Sequence, residues 1–370
     1  MLWRIMDRWW QRFLSDYDEV LESRYGYLRK EVKRAGEKYL KCGILDFGFA
    51  RVRCGACGEE LMVAFSCRVR ICPSCMKKRQ ILFGEFLAEE VLEPVSHRHL
   101  TFSIPRRLRV YFRNHRGLLA GLSRCAWEAT LEALRQELGL PEGMGAAVNL
   151  LHTWGDLLDW HPHVHGLFAW GLFDADDSYR GAPQIPDTVI HDLFRMKVFR
   201  LLREEGLIEA DLVADMLSWP HSGFHVWVGP LVSCLDSAAI EHLGQYSARG
   251  PVSLERLGLA PGGGDAPGQM RYEAPDDTAG DGREWGLGQE DLGRVIITSG
   301  KYLSKHKGHT RVLDPISFIA ELTQHIPDRH QKTSIAYGRY SNAHRGKRKK
   351  RAAAAAMAAG AAGGSVPAIV

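Results

Sequence analysis

No stretch of this 370-residue chain stays apolar for the ~20 residues that a membrane-crossing helix needs. It has no internal repeat, so array and solenoid architectures are not expected. Its first segment, MLWRIMDRWWQRFLSDYDEVLESRYGYLRK, carries a charge every few residues. Neither a secretory leader nor a membrane span is therefore expected there; the segment reads as an amphipathic helix with Trp, Leu and Phe on one side. An excess of one charge is also lacking, with 48 Lys and Arg against 44 Asp and Glu and a formal net charge of +4. These absences point to a cytoplasmic protein with no membrane partner. Hydrophobic content of 45% and charged content of 25% are ordinary for a globular chain, and the length suffices for two or three domains.

The balanced charge is unevenly spread. Arg51 to Arg116 is rich in Arg and Lys, RGKRKKR (Arg345 to Arg351) is a second basic run, and Glu273 to Glu290 is acidic. Local basic surfaces fit either a polyanion partner or a solvated face. Cysteine is clustered too: five of eight fall between Cys54 and Cys75, which in a reducing compartment points to metal rather than disulfides.

Periodicity outlines the layout. Helices are expected over about 1–45, at FGEFLAEEVL, at RGLLAGLSRCAWEATLEALRQELG, from Asp187 (as cap) to Ile208, at 208–218 and in DPISFIAELTQHIP. Strands are expected at SHRHLTFSIP, GAAVNLLHTWG, HPHVHGLFAWGLF, GFHVWVGPLV and RVIITSGKYLS, the second and third forming a hairpin around DLLDW. The result is an α+β class, an antiparallel sheet with helices on one face. Expected divisions are 1–82, helical and zinc-binding; 83–259, the main domain; 260–291, a Gly- and Asp-rich insert; 292–346, a C-terminal part; and 347–370, a basic and low-complexity tail that frays.

Two motifs carry chemistry. Cys54-x-x-Cys57 and Cys72-x-x-Cys75 each let two thiolates reach one ion at about 2.3 Å, and together they form a closed tetrahedral set suited to a structural zinc ion. Cys67 is a fifth thiol that is either spare or a replacement. In HPHVHG, His163 and His165 share one face of a strand, ~6–7 Å apart, where they can converge on a divalent ion while Val164 anchors the other face in the core.

Four blocks in order resemble the insertion-sequence-91 family of transposases, part of the HUH (His-hydrophobe-His) single-strand nuclease superfamily. KCGILDFGFARVRCGACGEELMVAFSCRVRICPSC is similar to the family's zinc-binding domain and LHTWGDLLDWHPHVHGLF to its HUH segment. LGQYSARGPVSLERL is similar to its catalytic-tyrosine segment, and DPISFIAELTQHIPDRHQKTSIAYGRYSNAHRGK to its C-terminal segment. The resemblance implies an antiparallel sheet with the HUH strand at its centre. It implies Tyr246 as nucleophile, His163 and His165 as ligands of a catalytic Mg²⁺ or Mn²⁺, and a 5′-phosphotyrosine intermediate of rolling-circle transposition. The residue four after Tyr246 is Gly250, so the chain looks like the one-tyrosine branch. His161, His152, His242 and Gln245 are candidates for a third ligand. Arg249, Arg256, Lys301, Lys305, His306 and Arg311 are candidate phosphate contacts, and Trp154 and Trp160 candidate base stackers or core residues. Tyr302, Tyr337 and Tyr340 are expected in the core or facing DNA. The implied partner is single-stranded DNA at transposon ends and target, in the bacterial nucleoid. A replication initiator of the same superfamily, or a non-catalytic zinc-dependent DNA-binding protein, are the alternatives.

Overall fold

The computed structural model describes residues 1–260, 294–299 and 310–362. The N-terminal segment forms α1 (Leu2–Val20), which buries Leu2, Ile5, Met6, Trp10, Phe13 and Tyr17 at helical spacing. A single turn, α2 (Glu22–Tyr25), and α3 (Lys30–Leu40) follow. The cysteine-rich segment starts as a hairpin, β1 (Phe49–Arg53) against β2 (Glu60–Ala64), and leads to α4 (Pro73–Phe86), which opens on a proline. Next come β3 (His97–Ser103), α5 (Arg106–Asn114) and α6 (Leu118–Leu138). Gly139, left-handed at φ 61, closes α6. Then β4 (Ala146–Trp154) turns through Gly155–Asp159 into β5 (Trp160–Ala169), as the hairpin expectation required.

Beyond it lie β6 (Gly171–Phe173), β7 (Tyr179–Gly181), α7 (Asp187–Glu204) and α8 (Ala210–Ser218). Pro186, not Asp187, holds the cap position of α7; Asp187 sits in the first turn, where its charge favours the helix dipole. The remaining elements are β8 (His225–Val232), α9 (Ser237–Ser247), β9 (Leu257–Ala260), β10 (Arg294–Thr298), β11 (Thr310–Leu313), α10 (Pro315–Gln324), β12 (Ser334–Gly338) and α11 (Asn342–Ala362). The Asp314 side chain caps α10 by accepting from the Ser317 amide. The low-complexity tail expected to fray from Arg351 on is helical as far as Ala362, where α11 carries the basic run into the alanine tract, because alanine is the strongest helix former. Among the described residues no helix is long and apolar enough to cross a membrane.

The chain forms two compact units that do not follow one another in sequence. Unit 1 comprises Met1–Ile81, Thr153–His161 and Ala248–Gln331. Its core joins the buried faces of α1 and α3 to Ile316, Phe318, Ile319 and Leu322 of α10 and to Val295 and Ile297 of β10. The sheet β11-β10-β9 belongs to it. Buried Glu321 accepts from Tyr25 Oη at 2.9 Å and from Arg311 at 2.8 Å, so this carboxylate is charge-paired and hydrogen-bonded. The expected insert at 260–291 lies outside the described residues from 261 on.

Unit 2 comprises Leu82–His152, Pro162–Ser247 and Lys332–Val370, and holds a five-stranded sheet in the order β12-β4-β5-β3-β8. The α+β expectation holds, with the HUH strand β5 central and antiparallel to β3. One face packs on α6 and α7: Phe102 meets Phe194 at 5.0 Å, and Trp127 stacks on Tyr337 at 5.3 Å. Val164 is fully buried, and Asn149 donates to the Ser123 carbonyl of α6 at 3.0 Å. The period of two along each strand turns the alternate residues to the opposite face.

Candidate functional site

In unit 1 the structure gathers a cysteine set that differs from the spacing-based one. Cys42, Cys67, Cys72 and Cys75 bring their sulphurs within 4.8 Å of one another. Cys42 Sγ lies 3.8 Å from Cys72 and 3.6 Å from Cys75, and Cys67 lies 3.6 Å from Cys75. Cys54 and Cys57 instead sit exposed at the β1–β2 turn, where Cys54 and Glu59 close the hairpin by backbone hydrogen bonds. The reason is geometric. Pairing β1 with β2 carries the tip away as a hairpin, while the turn before α4 folds Cys72 and Cys75 back onto the end of α3. Cys42 has no C-x-x-C partner, so spacing did not select it; its signal was its place at the head of the KCGILDFG block that resembles the family's zinc-binding domain.

The four sulphurs fit a tetrahedral zinc ion. The amide of Cys67 donates to Cys42 Sγ at 3.3 Å and that of Val69 to Cys67 Sγ at 3.4 Å, contacts that favour thiolates. Arg68, left-handed at φ 56, makes the turn between them. The Cys67 thiol hydrogen-bonds to Cys72 and lowers it to about 5, while Cys67 itself is pushed up by the same bond and by burial.

In unit 2 the face of the sheet turned away from α6 and α7 carries histidines. His152 of β4 and His163 and His165 of β5 place ligand atoms within 4.8 Å of one another. The rings of His152 and His165 are 4.6 Å apart and those of His152 and His163 5.1 Å. A carbonyl can only accept, so the 2.7 Å contact between His152 Nε2 and the Ser247 carbonyl puts the proton on Nε2 and leaves Nδ1 as a lone-pair donor. That is the pattern of a ligand oriented by its other nitrogen. Three imidazoles in this arrangement fit a divalent transition ion.

Of the other candidates for a third ligand, His161 falls within unit 1, His242 is exposed on α9, and Gln245 donates to Glu241 at 2.7 Å. Neither of these two histidines is a member of the close-set trio. A residue that sequence reasoning passed over does adjoin it. His99 was expected at a strand start, but it lies within β3, buried, with Nε2 3.0 Å from His165 Nδ1. A second H-x-H, at His97 and His99, was the available signal. Thr101 Oγ1 reaches the same His165 nitrogen at 3.3 Å.

Tyr246 is on α9 with 40% of its surface exposed, and its ring lies edge-on to His165 at 5.9 Å and to His99 at 6.1 Å. Helix α9 gains this position through two glycines. A Cβ on Gly84 would meet the Glu241 carbonyl at 2.8 Å, and one on Gly244 would meet Gly84 Cα at 3.1 Å, so larger residues would push the helix out. Of the other tyrosines weighed for this role, those described are held by hydrogen bonds within unit 2. Tyr340 is fully buried at 2.6 Å from His97 Nε2, and Tyr337 meets Ser123 Oγ at 2.9 Å.

The expected phosphate contacts divide. Arg311 is bound to Glu321, and Arg256 to the Thr298 carbonyl at 2.8 Å and to Asp156 at 2.9 Å, so both brace unit 1 internally. Arg249 is half-buried in unit 1. Lys301, Lys305, His306 and Tyr302 lie outside the described residues. Trp154 is buried under the Arg70 guanidinium at 5.0 Å, and Trp160 stacks on His325 at 6.0 Å, so neither is an open platform. The basic run is partly neutralised within unit 2, where Arg348 pairs with Glu93 and Lys349 with Glu90 at 3.0 Å.

Residues 6–104 match the family described as "Transposase zinc-binding domain", and residues 146–349, more than half of the chain, match the family described as "Putative transposase". The chain is similar to "Putative transposase y4qJ" of Sinorhizobium fredii, 28% identical over 186 residues that cover 48% of this chain and 46% of that one. It is also similar to "Transposase for insertion sequence element IS801" of Pseudomonas savastanoi pv. phaseolicola, 35% identical over 130 residues that cover 35% of this chain and 30% of that one. The matched segments thus span less than half the length of each relative. No solved structure matches.

Proposed function

The chain belongs to the insertion-sequence-91 family of transposases, and from that premise we propose that it nicks and rejoins single-stranded DNA at transposon ends and target by rolling-circle chemistry. Tyr246 is the nucleophile, His152, His163 and His165 hold a divalent ion, and Cys42, Cys67, Cys72 and Cys75 hold a structural zinc ion. The observation that carries this reading is the 5.9 Å separation of the Tyr246 and His165 rings, with three convergent imidazoles behind it.

The residues divide the work. Attack of the Tyr246 oxygen on the scissile phosphorus forms a 5′-phosphotyrosine and breaks the bond to the 3′-oxygen. The proton that the phenol gives up is matched by the one the 3′-oxygen takes up. The phosphodiester's energy is retained in the tyrosyl ester, so a later 3′-hydroxyl can reverse the step and join strands without ATP. A bound ion supplies Lewis-acid polarisation of the phosphate. Of Mg²⁺ and Mn²⁺, the softer Mn²⁺ suits three imidazoles better. With Gly250 four residues after Tyr246, the reading uses one tyrosine for both cleavage and rejoining.

The test is a covalent-adduct assay. Full-length protein, single-stranded oligonucleotide and Mn²⁺ should give a species of raised mass on a denaturing gel. Tyr246→Phe should abolish it, and His163→Ala should reduce it at least ~100-fold. An adduct that persists in Tyr246→Phe refutes the assignment.

A further inference from the structure

The histidine-bearing face of the unit 2 sheet runs on to its edge strand. Antiparallel register sets His163 opposite Ser103, and Ser103 opposite His225 on the edge strand β8. In the next row, His165 faces Thr101, and Thr101 faces Trp227. Directly opposed residues share a face, so His225 and Trp227 stand on the same side as the histidine trio, about 10 Å across at two strand spacings. Trp227 leaves 44% of its surface exposed while its ring meets His99 edge-on at 5.6 Å. Just before it, a cavity of about 560 Å³ opens between α7 and the segment leading into β8, lined among others by Arg195, Trp219, His221 and His225. The Arg107 guanidinium lies 5.9 Å over the Trp219 ring.

We propose that this edge is a nucleobase-binding subsite. Trp227 stacks on an unpaired base next to the phosphodiester at the histidine site, and the cavity beside Trp219 receives the following nucleotide. The inference rests on the nuclease reading above. An exposed indole beside a site gives π-face contact to any base, and imidazoles and a guanidinium around a second indole suit a nucleotide's ring and phosphate. Duplex DNA cannot use such a surface, because its bases are stacked and paired. The subsite therefore selects single strands by shape.

The experiment uses full-length Tyr246→Phe protein, which cannot turn over, and fluorescein-labelled single-stranded oligonucleotides. Trp227→Ala and Trp219→Ala should each weaken binding about 5- to 100-fold, and Trp227→Phe should restore most of it. An abasic nucleotide moved stepwise along the oligonucleotide should cost a similar factor at one position next to the cleavage point. That cost should vanish in Trp227→Ala. Circular-dichroism spectra and thermal midpoints, unchanged in the variants, report that they fold. If the starting protein binds single strands but the variants bind equally well, or the abasic cost persists in Trp227→Ala, the subsite is refuted and the nuclease reading stands. If the starting protein binds no single strand, both fall.

Discussion

His99 Nε2 lies 3.0 Å from Nδ1 of His165, and the two rings stack at an interplanar angle of 12°. For His165 to present Nε2 to an ion, its Nδ1 must carry the proton and donate it. His99 and Thr101 are the acceptors within reach. In the proposed metal site His99 would thus position His165 rather than act on substrate. His99→Ala should lower Mn²⁺ affinity about 10- to 100-fold, measured by calorimetry without DNA. His99→Gln, whose carbonyl can still accept, should recover part of the loss. Equal affinity in all three proteins would remove this role.

The cysteine assignment separates cleanly by metal analysis. Cys42→Ser should lose most of the zinc bound by the wild-type chain, whereas Cys54→Ser and Cys57→Ser should retain it, since their exposed sulphurs lie outside the cluster. Retention of zinc in Cys42→Ser with loss in Cys54→Ser would restore the spacing-based set.

Acid stability should follow His97. Burial lowers this imidazole from 6.5 to about 4, and it pairs with the buried phenol of Tyr340. The unfolded chain thus binds the proton between those values and the folded chain does not. The contribution, up to about 3 kcal/mol, is fully present above pH 6.5 and is lost as pH falls toward 4. Denaturant midpoints taken across this window should fall more steeply in wild type than in His97→Gln. Parallel profiles would count against it.

The seating of α9 can be tested without touching a reacting group. Gly84→Ala places a methyl 2.8 Å from the Glu241 carbonyl, which should shift the helix that carries Tyr246. Adduct formation should slow by up to ~100-fold, as small displacements of a nucleophile do, with the circular-dichroism spectrum unchanged. An unaffected rate would show that α9 adapts.

Local pattern determined much of this protein. Alternation in HPHVHG set Val164 in the core and His163 and His165 on the other face, because a strand's period of two leaves no choice once one face is buried. The same logic gave the β4–β5 hairpin and the apolar stripe of α1. Partners distant in sequence were decided by tertiary structure. Cys42 meets Cys72 and Cys75 across thirty residues because a hairpin leaves and an α-helix returns, and no spacing rule encodes that path. His99 reaches His165, and Tyr246 reaches both, through strand register and a glycine contact between helices. Arg256 and Arg311, which read as candidate phosphate contacts, are half-buried and paired with carboxylates that only folding brings near. Sequence fixes what each side chain can do and which way it faces locally; the burial of one element against another decides which of them meet.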